Sequence, residues 1–437
     1  MANPDFLDRL GDEMGNVYAA TSDRILINLA RHFEKLDPDD LKPGGAFEYQ
    51  AKKLAEFGQV TAETVEIIKD MMEGADKALR DCLEAAIIDA LEDAEPELKR
   101  AAEAGLLNGG AVPPPVAPQL MQTFEAYYRQ SADKLNLTNT AMLESTENAY
   151  RETVADITNR LNRVQHILNE TTGMVLTGVE SANTAMRLAV DQMVKNGITG
   201  FVAHGYYDAE GVYHEGAHWR PETYVAMDMR TTFHNTARAA FWERNEDYSN
   251  DLFLVSQHPG ARPLCYPWQC KVISRYDLAR EVQDGNGRPV HVYGLTETTY
   301  GEPAGLFGIN CGHHPVCFIP GVSKVPELLQ DEMANAKQYA ESQQQRAMER
   351  DLRQKRLDLE VARARKDDKK EIKKRREAVR AASDRLDEFC EETGRKRRRE
   401  REYKPVNADW PNPKTYGNSP TAIRDALRDW FEQGGGM

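Results

Sequence analysis

The stretch PETYVAMDMRTTFHNTARAAFWERN (221–245), followed closely by LFLVS (252–256), decides the fold class. Pro221 suits the first turn of a helix, where the amide hydrogen it lacks would have no intrahelical partner. Behind it Tyr224, Val225, Phe233, Ala237, Ala240 and Phe241 supply an apolar face at helical spacing. Leu252 to Ser256 is short and β-rich and reads as a strand. KVIS (271–274) and VHVY (290–293) read the same way, and DGNGRP (284–289) carries hairpin-turn chemistry ahead of the second. A helix followed by short strands makes residues 197–324 a compact α+β domain.

On its N-terminal side the pattern is helical. A Pro/Gly break around Leu41 to Gly45 precedes helices from Phe47 to Gly105, where Leu54, Val60, Val65, Ile67, Ile68, Met71 and Met72 recur near helical spacing. The run NGGAVPPPVAP (108–118) cannot continue a helix, because consecutive prolines lack amide donors and clash with the preceding turn. It reads as a linker between a first helical region (1–107) and a second (119–196). The second contains no proline and has glycine only at Gly173 and Gly178. It reads as one long helix, roughly 115 Å if continuous, or as a two-helix hairpin.

On the C-terminal side, residues 325–403 read as a long charged helix. Met348, Leu352, Leu359 and Ala362 fit a heptad seam, and so do Ile372, Val379, Ala382, Leu386 and Phe389, but the registers differ by one residue. A continuous coiled coil would have to slip between Arg363 and Glu371. The tail (404–437), with Pro411, Pro413 and Pro420, reads as an extended strap ending in a short helix from Thr421 to Gln433.

The 437 residues are 29% charged and 8% aromatic, which favours elongated helical surface over one large core. A formal net charge of -14 argues against the whole chain tracking phosphate. Charge is nevertheless segregated: residues 341–403 carry 22 Lys+Arg against 16 Asp+Glu, leaving 34 against 54 elsewhere. Within RKRRRER (395–401), Arg395, Lys396, Arg397, Arg398, Arg399 and Arg401 surround a single acid and read as a polyanion contact. Lys369 to Arg376 is more mixed and reads as a solvated helix face. No apolar run approaches the roughly 18–20 residues of a membrane span. The N-terminus has no basic and apolar leader pattern, so no secretory signal is expected.

His258, Cys265, Cys270, Cys311, His313, His314 and Cys317 fall within 60 residues of one another. Thiolate and imidazole are the ligands zinc prefers, and a structural site takes four in a tetrahedron. Cys265, Cys311 and His313, with His258 or a neighbouring Cys as fourth group, are therefore expected to tie the domain together as a structural zinc set. The spacings are wider than a Cys-x2-Cys knuckle. The alternative is a shared loop core of packed and hydrogen-bonded side chains anchored by Arg262 and Trp268. Glu297, Cys311 and His313 permit a metal-hydrolase sketch. The motifs of zinc proteases, serine hydrolases and phosphate-binding loops are missing, and no enzyme and no further cofactor are expected.

HPGARPLCYPWQCKVIS (258–274), YGEPAGLFGINCGH (300–313) and FIPGVS (318–323) together closely resemble the phage minor capsid protein 2 family, which is akin to the Mu F-like head-morphogenesis proteins. FCEETGRKRRRER (389–401) resembles that family's C-terminal helix. The resemblance covers about Trp219 to Tyr403. Cys265 stands where the family often has His or a small residue, Cys270 replaces a usual Gly, and Gly312 and Cys317 are also atypical. The resemblance implies a low-copy component of a tailed-phage virion, synthesised in the host cytoplasm and placed at the portal or capsid interior. Such proteins are sometimes ejected with the DNA. It implies assembly with portal and capsid proteins in an oligomeric particle, where the basic run is expected to lie against packaged DNA or an acidic neighbour. It implies no catalytic residue, and the lack of a long apolar run leaves no membrane anchor expected. The competing class is an ejected effector enzyme whose Cys/His domain acts on a host or viral target.

Overall fold

Helix α1 (Pro4–Arg31) starts on a proline and buries Leu7, Leu10, Met14, Val17, Tyr18, Ile25, Leu26 and Leu29 along one stripe. The computed structural model describes residues 4–34, 36, 40, 42, 44–107, 118–170, 175–202, 206–207, 213–214, 218–276, 279–402 and 408–413. Nearly all of the expected linker, from 108 to 117, and the short helix expected at 421–433 lie outside them.

Helices α2 (Gly45–Ala55), α3 (Phe57–Met72) and α4 (Ala75–Glu103) follow. The apolar positions anticipated here divide. Val60, Ile68 and Met71 form a buried stripe with Thr64, whereas Leu54, Val65 and Met72 are exposed. Only residues three or four apart share a helix face, and Val65 and Met72 each sit one step off that stripe.

The 119–196 region is a hairpin. Helix α5 (Pro118–Glu170) is roughly 80 Å long at about 1.5 Å per residue. Helix α6 (Val175–Asn196) runs back along it, so that the Thr199 amide donates to Ser145 Oγ at 2.9 Å. Threonines buried in α5 satisfy their hydroxyls within the helix: Thr138, Thr146, Thr153 and Thr158 each donate to the carbonyl four residues back. Tyr18 Oη donates to Asn139 Oδ1 at 2.9 Å and ties α1 to α5.

Two short antiparallel ribbons come next, β1 (Phe201–Val202) with β4 (His218–Trp219) and β2 (Tyr206–Tyr207) with β3 (Tyr213–His214). Helix α7 (Pro221–Asp247) begins on Pro221, as expected, and buries Val225, Phe233, Ala237, Ala240 and Phe241. Tyr224 is only partly buried and stacks on Phe201 at 4.4 Å. The sheet contains β5 (Leu252–Val255), β6 (Val272–Ser274), β7 (Arg280–Gln283), β8 (Pro289–Gly294) and β9 (Pro315–Cys317) in the order β7-β8-β6-β5-β9. Only β6 and β8 are parallel. Phe253, Val255 and Ile273 join the main core on one face, while Leu252, Val272, Val292 and Phe318 form a second cluster on the other. That division follows from the two-residue period of side chains along a strand.

The region 325–403 is two helices, not one. Helix α8 (Glu332–Ala364) stops before Lys366, whose φ is 59°, and Asp368 caps α9 (Lys369–Thr393) by accepting from the amides of Lys370 and Glu371. The heptad slip falls on this turn. Leu352 then meets Ala382, Leu386 and Phe389 across the hairpin, with Met348 and Val379 beside them. At the turn Arg365, only 2% exposed, is gripped by Asp367 and reaches Asp191 of α6 at 3.5 Å.

Helix α7 is the hub. The α1 backbone approaches it so closely that a Cβ on Gly11 would lie 2.7 Å from the Arg230 amide nitrogen, and one on Gly15 would lie 2.5 Å from Ala226 Cβ. Helix α4 joins through Glu95, whose carboxylate takes two hydrogen bonds from Arg244, at 2.6 and 2.7 Å, and one from Tyr248 Oη at 3.1 Å. Replacing Gly15 by Leu is expected to destabilise the chain by roughly 1–3 kcal/mol or more in denaturant titrations, although Leu is the better helix former by about 1 kcal/mol. Gly58→Ala, with nothing within 4 Å of the new methyl, should be neutral or slightly stabilising in the same titration.

Candidate functional site

The register of two strands builds the site. Strand β5 pairs antiparallel with β9 so that Val255 faces Pro315, and the Ser256 amide extends the ladder by donating to the His314 carbonyl at 3.1 Å. The segment leaving β5, which carries His258 and Cys265, therefore lies beside the segment entering β9, which carries Cys311 and His313.

Arg262 staples the two loops. Its guanidinium donates to the carbonyl of Ile309 at 2.7 Å and to that of Gly305 at 3.2 Å. Thr299 Oγ1 donates to the Leu264 carbonyl at 2.8 Å. Asn335 of α8 makes two 2.8 Å hydrogen bonds to the backbone of Ala261, docking the first loop on the C-terminal hairpin. Trp268 is partly buried and packs edge-on against Tyr293 at 5.6 Å.

Three of the four anticipated ligands meet. Cys265 Sγ lies 3.8 Å from Cys311 Sγ, which lies 3.4 Å from His313 Nδ1, and all three ligand atoms fall within 4.8 Å of one another. All three residues are buried. His258 is outside that set. Its ring packs on His313 with centroids 4.3 Å apart, its Nδ1 faces the Pro259 carbonyl at 3.2 Å, and its Nε2 is buried without a hydrogen-bond partner. The Cys311 sulfur accepts from the Phe307 amide at 3.2 Å. The hydrogen bond from Cys265, with help from His313, holds the Cys311 thiol far below the usual thiol range, and the same bond pushes Cys265 up. Burial, reinforced by His313, lowers His258.

Other members of the sequence cluster stand apart. Cys317 faces α7 and hydrogen-bonds Asn245 Oδ1 at 3.0 Å. Cys270 has a left-handed backbone, φ 59°, and its thiol is raised by burial. His314 pairs with Ser256 Oγ at 3.2 Å, and burial pushes it down to about 4. Glu297 accepts from the Gly294 amide at 2.6 Å and is not part of the Cys265, Cys311 and His313 cluster. Sequence reasoning missed Phe307 as a sulfur-binding amide, because a backbone donor has no residue-type signature.

The basic run is not helical at its start. Helix α9 ends at Thr393 and is capped by Gly394, and Arg395 to Arg398 form a loop before a single 3-10 turn at Arg399–Arg401. The six cations anticipated as one polyanion surface divide. Arg397, with its side chain 10% exposed, makes two 2.5 Å hydrogen bonds to Glu402 and an ion pair to Asp387, and the bond to Glu402 raises it further. Arg395 donates to Gln345 at 2.8 Å, and Arg401 reaches Asp12 at 3.5 Å. Lys396, Arg398 and Arg399 are exposed.

Comparison with known proteins matches residues 2–391 to the family described as phage minor capsid protein 2. The chain is similar to a structural protein of Lactococcus phage LL-H, 28% identical over 315 residues, covering 72% of this chain and 77% of that protein. No solved structure matches.

The division of the basic run has a measurable consequence. Arg397→Gln is expected to cost roughly 1–3 kcal/mol in denaturant titrations, because the buried Glu402 carboxylate loses two short charged hydrogen bonds and keeps the longer ion pair with Arg356 at 3.9 Å. Arg398→Gln and Arg399→Gln should each stay within about 0.5 kcal/mol of the parent.

Proposed function

Because the chain belongs to the phage minor capsid protein 2 family, we propose that it is a low-copy structural component of a tailed-bacteriophage head, seated at the portal or on the capsid interior and not an enzyme. The observation that carries this reading is the extent of the match. Residues 2–391 include α1 to α8, all but the last two residues of α9 and the whole sheet, so the family relationship belongs to the framework and not to one loop motif. The phage LL-H relative, itself called a structural protein, supports the same reading.

The architecture suits such a role. A helical hairpin roughly 80 Å long presents extended surface for neighbouring subunits, and the sheet, packed on α7 and sharing one core with the hairpin, gives it a fixed base. Among the described residues no helix is long and apolar enough to cross a membrane. We assign the polyanion contact to Lys396, Arg398 and Arg399, with packaged DNA or an acidic neighbouring subunit as its target.

Quantitative mass spectrometry of gradient-purified particles is expected to find this chain at a small fraction of the major capsid protein, with chemical cross-links to the portal. Its absence from particles, or a copy number equal to the major shell subunit, would overturn the reading. Three exposed cations release few counterions, so DNA binding should weaken with salt with a log–log slope of about -2 to -3. The triple variant Lys396→Gln, Arg398→Gln, Arg399→Gln should flatten that slope toward zero in a fluorescence-anisotropy titration.

A further inference from the structure

We propose that Cys265, Cys311 and His313 form three corners of a tetrahedral zinc site, that His258 supplies the fourth, and that the ion locks the two loops together without serving catalysis.

The interatomic distances are those of a tetrahedron's edges. Zinc bonds to sulfur at about 2.3 Å and to imidazole nitrogen at about 2.0–2.1 Å, so tetrahedral angles place two sulfurs about 3.8 Å apart and a sulfur and a nitrogen about 3.5 Å apart. The observed separations are 3.8 Å for the two sulfurs and 3.4 Å for Cys311 Sγ to His313 Nδ1. The third pair also lies within 4.8 Å.

The surroundings suit anionic sulfur. The Phe307 amide points at Cys311 Sγ from 3.2 Å, and Arg262 Nη2 lies 3.7 Å from Cys265 Sγ. Two buried thiolates this close would repel one another strongly, and a dication between them removes that cost.

His258 is prepared to close the site. Its Nδ1 is engaged by the Pro259 carbonyl, the outer-shell arrangement that leaves Nε2 as the metal-binding nitrogen. That Nε2 is buried without a partner. It also lies 3.2 Å from where a Cβ on residue 312 would stand, so Gly312, between two of the ligands, leaves room for this ring. Turning the His258 ring from its place beside His313 toward the three ligand atoms completes the set. With four protein ligands the ion keeps no open position for a water nucleophile. Binding energy then becomes folding energy for loops that hold Phe307 and Asn310 at φ 59° and 54°.

The test is elemental analysis of the full-length chain purified without added metal, followed by Co(II) exchange. About one zinc per chain is expected. The Co(II) form should show tetrahedral d–d bands and thiolate charge transfer. Cys311→Ser should lose the metal, Cys270→Ser should keep it, and His258→Ala should bind Zn(II) tenfold or more weakly. Chelation should lower the unfolding temperature of the parent chain. A parent chain that is metal-free as purified and binds neither Zn(II) nor Co(II) would overturn the proposal without recourse to any variant. So would zinc retained by Cys311→Ser, or a Cys265–Cys311 disulfide mapped in intact particles. Unchanged affinity in His258→Ala would overturn the assignment of the fourth ligand.

Discussion

The close crossing of α1 over α7 at Gly11 and Gly15 is the constraint on which the remaining packing depends. Two glycines one helical turn apart remove the side chains that normally hold helix axes 8–10 Å apart. Arg230 and Ala226 fill the space, and Arg230 reaches Asp12 at 3.0 Å. Helix α7 thereby becomes a shared wall. One side receives α1, and the Glu95–Arg244–Tyr248 cluster brings in α4. Phe241 and Trp242 carry the sheet through Phe253, at 5.8 and 6.4 Å.

The Cys/His site inherits its geometry from that wall. The sheet rests on α7, β5 and β9 are neighbours in it, and their antiparallel register brings the two Gly- and Pro-rich loops together. The C-terminal hairpin closes the arrangement from outside, through Asn335 on Ala261 at one end and Arg365 and Arg375 on Asp191 at the other. The long-helix frame and the small sheet are consequently joined by one continuous core, which suits a component that has to keep its shape among other subunits.

Much of this was legible in the sequence, for reasons that can be named. Pro221 and the apolar face behind it marked α7, and Leu252–Ser256, 271–274 and 290–293 marked three strands. The one-residue heptad slip located the turn between α8 and α9 without revealing that the chain reverses there. Strand β9 escaped because Pro315–Cys317 opens on proline and holds a single β-branched residue, Val316, and β7 because Arg280–Gln283 is polar and half-exposed. The α1–α7 crossing was hidden because glycine inside a helix signals weakness unless its partner is known. At the site, residue type and clustering picked out Cys265, Cys311 and His313. His258 was read as one of two options for the fourth group, and sequence could not show its ring stacked beside the triad. In the basic run the count of charges concealed that Arg397 is half-buried and paired with the buried Glu402, which only the fold after Gly394 reveals.

The central claim is that the N-terminal helix and the sheet domain are one cooperative unit joined through α7. Hydrogen–deuterium exchange on the purified chain tests it most directly. Amides in α1, α7 and β5 should form the slowest-exchanging group and lose protection together as denaturant rises. Exchange of α1 far ahead of α7, with the strands still protected, would show that α1 is a detachable arm and contradict the account.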